Sequence, residues 1–356
     1  MTKTSRILLM AGGTGGHIIP ALAVAQYLQQ QGAEVHWLGN KNGLEYQLVT
    51  PHGIIFHDIS VAGLRGKGVW GAITGLGKMV KAIYQAWRIL RAVRPERVGG
   101  FGGFVSAPGG VAAWLLRIPF IIQEQNAVAG FTNRGLAHLA TRVYQAFPET
   151  FPARLKPITS GNPVRTSIAE LPVPALRFAE RPCCRLLILG GSQGAAIFNQ
   201  KLPTMLSKLV PHPSLDIWHS AGKNQVEQTR QSYMAVGMTD VNVVDFIDDM
   251  AAAYAWADLV ICRAGALTLA ELTAAGVGSI LIPYPYAVDD HQTKNATWLV
   301  KAHAALLIPQ AQLTEEKLIM ELSRLLSQRT QLLNMAEAAR SLALPNATRQ
   351  VAEGLL

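Results

Sequence analysis

The stretch ADLVICRAGALTLAELTAAG, residues 257–276, combines residue types able to hold a nucleotide. Asp258 to Cys262 is a short apolar run of strand type, Ala264-Gly265-Ala266 is a small-residue turn, and from Leu267 to Gly276 the apolar spacing is helical. A helix starting there presents backbone N–H groups without intrahelical partners at the positive end of its dipole, which suits a phosphate. Thr268 adds a hydroxyl donor. Glu271, one turn further on, is a carboxylate that can accept both hydroxyls of a ribose. A ligand-free reading fits the same residues: Thr268-Leu269-Ala270-Glu271 matches the [ST]-x-x-[DE] capping box, which stabilises a helix start and binds nothing.

Other candidates lie at the ends of predicted strands. His17 closes the glycine loop Ala11-Gly12-Gly13-Thr14-Gly15-Gly16-His17 and opens a helix. Imidazole ordinarily titrates near neutrality, so a histidine there suits a general base for an alcohol nucleophile; capping the helix or touching a phosphate are its other readings. Glu124, in the polar tip Glu124-Gln125-Asn126, is the rival base. His291 and Gln292 read as ligand contacts, and the paired acids Asp248-Asp249 and Asp289-Asp290 as helix starts. No H-E-x-x-H, Cys/His cluster, D-x-D or G-x-x-x-x-G-K-[ST] occurs in the sequence. A departing diphosphate then relies on helix N-termini and on fixed cations such as Arg165 and Arg263.

The elements that must position these groups follow an alternating pattern. Arg6–Met10, Glu34–Leu38, residues 54–60, Arg97–Val98 and Phe120–Gln123 read as strands of a first α/β domain, with helices between them and a second glycine turn, Gly99 to Pro108. The pattern restarts at Arg185–Leu189, passes through the third glycine loop Gly190-Gly191-Ser192-Gln193-Gly194-Ala195, and continues with strands near 215–219, 241–245, 258–262 and 279–282. From about Thr314 the chain is helical, with a break at Pro345. The expectation is two doubly wound Rossmann-like domains facing across a cleft, joined by a proline-rich connection over Phe147–Pro182 that contains the hinge Gly161-Asn162-Pro163-Val164-Arg165. The dinucleotide fingerprint G-x-G-x-x-G fails in register, because Ile18 and Thr14 stand where glycine is needed, and no acid ends the second strand. A nicotinamide oxidoreductase is thereby disfavoured.

Hydrophobic residues make up 49% and charged ones 15%, which marks a globular chain, and a net charge of +9 favours an anionic partner. Cys183, Cys184 and Cys262 lack C-x-x-C spacing and suggest a reducing compartment. No signal peptide is evident. The charge-free stretch between Arg97 and Arg117 is too broken by glycines and Pro108 to cross a membrane. About Ala72 to Val93 reads as an amphipathic helix with Ile73, Leu76, Val80, Ile83, Trp87 and Leu90 as one apolar stripe and Lys78, Lys81, Arg88 and Arg91 on another face. It fits either a core helix with a solvated basic side or a surface docking on anionic lipid with the aid of Trp70 and Arg94.

Taken in order, Gly12–His17, Gly63-Leu64-Arg65-Gly66-Lys67-Gly68, Glu124-Gln125-Asn126, Gly161–Arg165, Gly190–Gly194, Phe246-Ile247-Asp248-Asp249-Met250 and Arg263–Thr268 resemble the pattern of the MurG glycosyltransferases over almost the whole chain. The resemblance implies a GT-B fold, with residues 1–163 as the acceptor and membrane-facing domain, 164–344 as the UDP-sugar domain, and a C-terminal helix near 345–356 packing back on the first. It implies inverting, metal-independent transfer of N-acetylglucosamine from UDP-N-acetylglucosamine to lipid I, without a cofactor or nucleic-acid partner, at an anionic membrane surface on the cytoplasmic face. Carried over by position, it places Arg165 and Ser192 on the diphosphate, Ile247 on uracil through its backbone, Ala266, Leu267, Thr268, Leu269 and Ala270 along the helix start, and Glu271 on the ribose. Gln292 then holds sugar hydroxyls, and Thr14, Gly15, Gly16 and Asn126 close over the donor.

Overall fold

The computed structural model describes residues 5–61, 69–178, 184–191, 194–209 and 215–356, with the side chains of 69–76 and 288 outside that description. The chain divides into two compact units, residues 1–164 with 344–356, and residues 165–343.

The first unit is built on seven strands: β1 (Arg6–Met10), β2 (Glu34–Gly39), β3 (Ile55–Asp58), β4 (Arg97–Gly100), β5 (Phe120–Glu124), β6 (Arg142–Gln145) and β7 (Ile158–Thr159). They pair in parallel in the order β3-β2-β1-β4-β5-β6-β7. Both faces of such a sheet are covered, which explains why β1 is a continuous apolar run. Leu9 enters the core beneath the helices Gly15–Gln30 and Ala347–Glu353, while Leu8 and Met10 enter the core on the other face. The C-terminal helix belongs to this unit: Val351 and Leu355 are fully buried in its core, and Arg97 Nη1 donates to Gly354 O at 3.1 Å.

The second unit repeats the plan with β8 (Cys184–Leu189), β9 (Leu215–Ser220), β10 (Asn242–Val244), β11 (Leu259–Cys262), β12 (Gly278–Leu281) and β13 (Ala305–Leu307), ordered β10-β9-β8-β11-β12-β13. In each sheet the order reverses beside the first strand, between β1 and β4 and between β8 and β11. Ligands of open α/β sheets bind beyond the carboxyl ends of the strands at such a reversal.

The chain passes from the first unit to the second between Val164 and Arg165, and the proline-rich stretch is packed on both sides of that point, with Phe151 and Val164 buried in the first unit and Ile168 and Arg177 in the second. Arg177 is buried and donates to the carbonyls of Tyr254, Ala275 and Gly276, so it closes the C-terminus of the helix Ala266–Ala275. In the helix Val69–Val93, the buried line is Ala82, Ala86, Leu90 and Val93, and Val80 and Tyr84 face solvent. Alanines allow the helix to approach its neighbours closely, so the larger apolar groups are turned outward among Lys81 and Arg88 instead of forming a separate stripe. Cys184 and Cys262 are buried, Cys262 as a free thiol, and Cys183 lies outside the described residues.

Two histidines make the fold sensitive to acid. Burial lowers the pKa of His219 to about 4, and lowers that of His57, where the neighbouring His36 adds to the effect. His36 Nδ1 lies 3.0 Å from His57 Nε2, and its Nε2 lies 2.9 Å from Glu34 Oε1. Since folding depresses both values, their stabilisation is complete above about pH 6.5 and is lost as the pH falls through the folded-state values. His219 alone accounts for about 3 kcal/mol of that loss if its folded pKa is about 4. Urea midpoints measured from pH 7 to 4 should fall steeply in the wild type and less steeply in His219→Gln; identical slopes would contradict this assignment.

Candidate active site

In the first unit, two glycine turns meet beyond β1 and β4. Gly103 has φ +81°, and a Cβ placed on it would come within 2.2 Å of Gly12 O, so only glycine permits this approach. Ser106 Oγ accepts from Gly102 N at 3.1 Å and lies 2.7 Å from Gly102 O and 3.1 Å from Met10 O, which ties the second turn to β1. The helix Gly15–Gln30 begins after Thr14, whose backbone is extended, and no side chain caps it. Thr14 and Gly16 are exposed there and Gly15 is half-buried. Glu45, on the unanticipated helix Leu44–Val49, braces the first turn by accepting from Gly13 N at 3.3 Å and Asn40 N at 3.0 Å. Its only sequence signal is an acid in a helix's first turn.

The two candidate bases separate clearly. Glu124 is buried and its carboxylate accepts from Asn126 N (3.0 Å), Asn126 Nδ2 (3.3 Å), Gly130 N (3.1 Å) and Asn133 Nδ2 (2.9 Å). With four donors on two oxygens, it shapes the loop that carries Asn126 and has no lone pair left for a substrate proton. Glu124 is thus a loop organiser and not the base expected from its residue type. His17 is half-buried, with Nδ1 2.7 Å from Gln125 Oε1, and Nε2 makes no hydrogen bond among the described residues. It has a nitrogen available for proton transfer, and Glu124 has no oxygen.

In the second unit, β11 leads into the helix Ala266–Ala275. Its N-cap is Gly265, in an extended conformation and without a side-chain cap. Its first intrahelical bond runs from Leu269 N to Gly265 O at 3.0 Å, so the amides of Leu267 and Thr268 precede the hydrogen-bonded ladder. The helix starts a turn earlier than the capping box requires, which removes that reading: Thr268 is inside the helix and Glu271 faces other partners. Leu269 is fully buried and its amide is paired, so it anchors the helix instead of meeting a ligand; Ala270 is half-buried.

Glu271 is 5% exposed, and its Oε1 accepts from Arg165 Nη2 at 2.8 Å and its Oε2 from the Tyr254 hydroxyl at 3.1 Å. Burial raises the Glu271 pKa, opposed by the charge and hydrogen bond of Arg165 and by the hydrogen bond of Tyr254. Burial and the adjacent carboxylate hold the Tyr254 phenol well above its ordinary value, so it stays a donor. Arg165 remains about 40% exposed at its side chain, and its buried Nε has no hydrogen-bond partner among the described residues. Tyr254 carried no signal in the sequence, because an alanine-rich helix with one tyrosine reads as core.

Arg263 is placed differently from a free cation. Its Nη1 donates to Ile282 O and Pro283 O, each at 3.0 Å, its Nη2 donates to Gln310 Oε1 at 2.7 Å, and the guanidinium lies over the Phe198 ring at 4.8 Å. It ties the turn after β11 to the end of β12. Gln292 Oε1 accepts from Tyr284 N at 2.8 Å, which leaves its amide N–H groups for a ligand. Ile247 is nearly buried beside the exposed Phe246, and Asp249 caps the helix Met250–Trp256 through Ala252 N at 2.9 Å. Ser192 lies outside the described residues.

The profile of the glycosyltransferase family 28 N-terminal domain matches residues 7–145, and that of the family 28 C-terminal domain matches residues 185–351. A UDP-N-acetylglucosamine–N-acetylmuramyl-(pentapeptide) pyrophosphoryl-undecaprenol N-acetylglucosamine transferase of Nitrosococcus oceani is 51% identical over 99% of this chain and 98% of its own. That of Marinobacter nauticus is 49% identical over 97% and 95%. The crystal structure of Acinetobacter baumannii MurG superposes with a TM-score of 0.85 at 43% identity, covering 99% of both chains. Two parallel α/β units of the GT-B class, matched nearly end to end at this identity, place the chain in the MurG family of glycosyltransferases.

Proposed function

We propose that the chain transfers N-acetylglucosamine from UDP-N-acetylglucosamine to the 4-hydroxyl of the muramyl sugar of lipid I, making lipid II for peptidoglycan. The observation that carries this reading is the uncapped N-terminus of the helix Ala266–Ala275, on the same helix as the Arg165–Glu271–Tyr254 cluster. The amides of Leu267 and Thr268, with the Thr268 hydroxyl, receive the diphosphate. Arg165 holds Glu271 in orientation and offers the exposed part of its guanidinium to the diphosphate. The lone pairs of Glu271 that its protein partners leave accept the ribose hydroxyls. Ala266 lies at the same helix start, Ile247 meets uracil through its backbone, and Ser192 and Gln292 complete the donor contacts. Thr14, Gly15, Gly16 and Asn126 contact the donor sugar from the unit that receives lipid I.

In the transfer step the acceptor oxygen bonds to the anomeric carbon from the face opposite the nucleotide. The anomeric C–O bond breaks with its electron pair going to UDP, and the hydroxyl proton passes to His17 Nε2. A single displacement of this kind inverts the anomeric centre. Diphosphate charge develops toward preorganised amides and Arg165, which need no rearrangement as the bond breaks. No bound metal is invoked for this step.

Glu271→Gln is the informative variant, because alanine would strand both Arg165 and the buried Tyr254 hydroxyl, whereas glutamine retains a polar partner for each. It should weaken UDP binding by about 1–3 kcal/mol in calorimetry, through loss of a charged hydrogen bond, and slow the formation of lipid II from a lipid I analogue. Wild-type UDP affinity in a folded Glu271→Gln variant would favour a protein that merely coats anionic surfaces. Failure of the wild type to form lipid II would sink the proposed activity.

The membrane contact is assigned to the exposed side of the helix Val69–Val93, where Lys78, Lys81 and Arg88 accompany Val80 and Tyr84. Trp114 and Leu115 are exposed on the helix Ser106–Leu115 that packs against it. Such mixed apolar and basic faces bind in the interfacial layer of anionic lipid. Trp70 and Ile73, expected on this face, have side chains outside the description. No helix among the described residues is long and apolar enough to cross a membrane, and the proposed association is peripheral, on the cytoplasmic face. Neutralising Lys78, Lys81 and Arg88 together should lower retention on anionic vesicles by roughly fivefold per charge and leave UDP affinity unchanged. Equal retention would refute this docking face.

A further inference from the structure

A buried chain of side-chain amides ends on His17. Gln125 is 1% exposed, and its Nε2 lies 2.9 Å from Phe101 O, 3.1 Å from Gln123 O and 2.6 Å from Gln123 Oε1. Phe101 O and Gln123 O are main-chain carbonyls and can only accept, so the amide nitrogen of Gln125 must face them. Rotating the amide by half a turn would set oxygen against two carbonyl oxygens in a site without water-like freedom. That fixes Gln125 Oε1 toward His17 Nδ1, 2.7 Å away. An oxygen with no proton can only accept, so His17 Nδ1 carries the hydrogen. In the neutral ring Nε2 is then the bare nitrogen.

The orientation is held from behind. Gln123 is fully buried, and its Nε2 donates to Asn162 Oδ1 at 3.0 Å and is 3.3 Å from Gly161 O, so its Oε1 is left to accept from Gln125. Asn162 Nδ2 donates back to Gln125 O at 2.9 Å. The ring is also confined from its side: a Cβ on Gly102, which has φ +99°, would come within 3.0 Å of both Cε1 and Nδ1 of His17. Three amides in sequence therefore each have a donor end and an acceptor end set by main-chain carbonyls, and the last acceptor meets the imidazole.

We propose that Gln125 is a positioning residue that keeps neutral His17 in its Nδ1–H tautomer, with Gln123 and Asn162 locking Gln125 in place, so that Nε2 is the nitrogen that takes the acceptor's proton. The part concerning proton uptake rests on the transfer reaction proposed above; the tautomer does not. A carboxylate in the place of Gln125 would also attract the imidazolium. A neutral amide orients the ring without adding a charge beside it.

The test is nitrogen NMR of protein labelled with 15N-histidine, with the His17 signals identified by their absence in His17→Ala. At a pH where His17 is neutral, the wild type should show a protonated Nδ1 and an unprotonated Nε2. Gln125→Leu, which keeps the volume and removes the acceptor, should convert the ring to a mixture rich in the Nε2–H form. It should also lower kcat by ~10²-fold or more, within the range that a general base contributes, while leaving the KM for UDP-N-acetylglucosamine unchanged. An Nε2–H tautomer in the wild type overturns the proposal, with no variant needed. So does a Gln125→Leu protein that retains the Nδ1–H form. If the tautomer is as stated but His17→Ala transfers sugar at the wild-type rate, the lock is supported and the base role of His17 is what fails.

Discussion

A helix cannot satisfy its own first amides, and in the second unit nothing in the side chains of Gly265 or Thr268 does it for them. The rest of that unit fixes where these amides point. Leu269 and Leu272 are fully buried and anchor the helix in the unit's interior, Gly276 ends it with φ +67°, and Arg177 places a cation on the carbonyls at that end. A positive group at the C-terminus suits the helix dipole, and the N-terminus, which no side chain caps, presents the dipole's positive end. Arg263 ties the turn before the helix to the end of β12, so the entry of the chain is fixed as well as its exit. The result is a rigid donor array that does not have to reorganise when negative charge arrives.

The two units share one topology and divide the chemistry. At the strand reversal of the first unit the chain places glycines, an imidazole and neutral amides. At that of the second it places a helix end, a guanidinium and a buried carboxylate. Acidic side chains in the first unit's site are engaged by the protein's own donors: Glu124 accepts four hydrogen bonds and Glu45 braces the first glycine turn. In the proposed reaction the second unit accommodates the nucleotide's negative charge, and the first handles the proton. Glycine is needed at 103 because a backbone carbonyl occupies the space a side chain would take, which brings the two turns of the first unit together.

Much of this was legible in the sequence. The central strands β1, β8 and β11 are apolar on both faces, and the glycine turns after β1 and β8 mark where they end. Short strands toward the sheet edges were not legible: β6, β7 and β13 span two to four residues and carry too little pattern to separate from turns. The outward rotation of Val80 and Tyr84 was hidden because periodicity reports an apolar stripe, and small alanines decide which part of it is buried. The capping box and the phosphate site could not be separated from the sequence, since they differ only by where the helix begins. Glu124 looked like a base because its type is right; only its four donors disclose that it is a loop organiser. Gln125 carries no signal of a role in its motif, because an amide acquires direction only from the carbonyls around it.

The account stands on the claim that protein dipoles and Arg165, with no bound cation, stabilise the departing UDP. The direct measurement is the initial rate of lipid II formation from UDP-N-acetylglucosamine and a lipid I analogue, in protein stripped and assayed with excess chelator, compared with the same protein in millimolar magnesium. Equal rates are expected. A rate abolished by chelator and restored by a divalent ion would contradict the account, because the helix end would then be insufficient for the charge it is asked to hold.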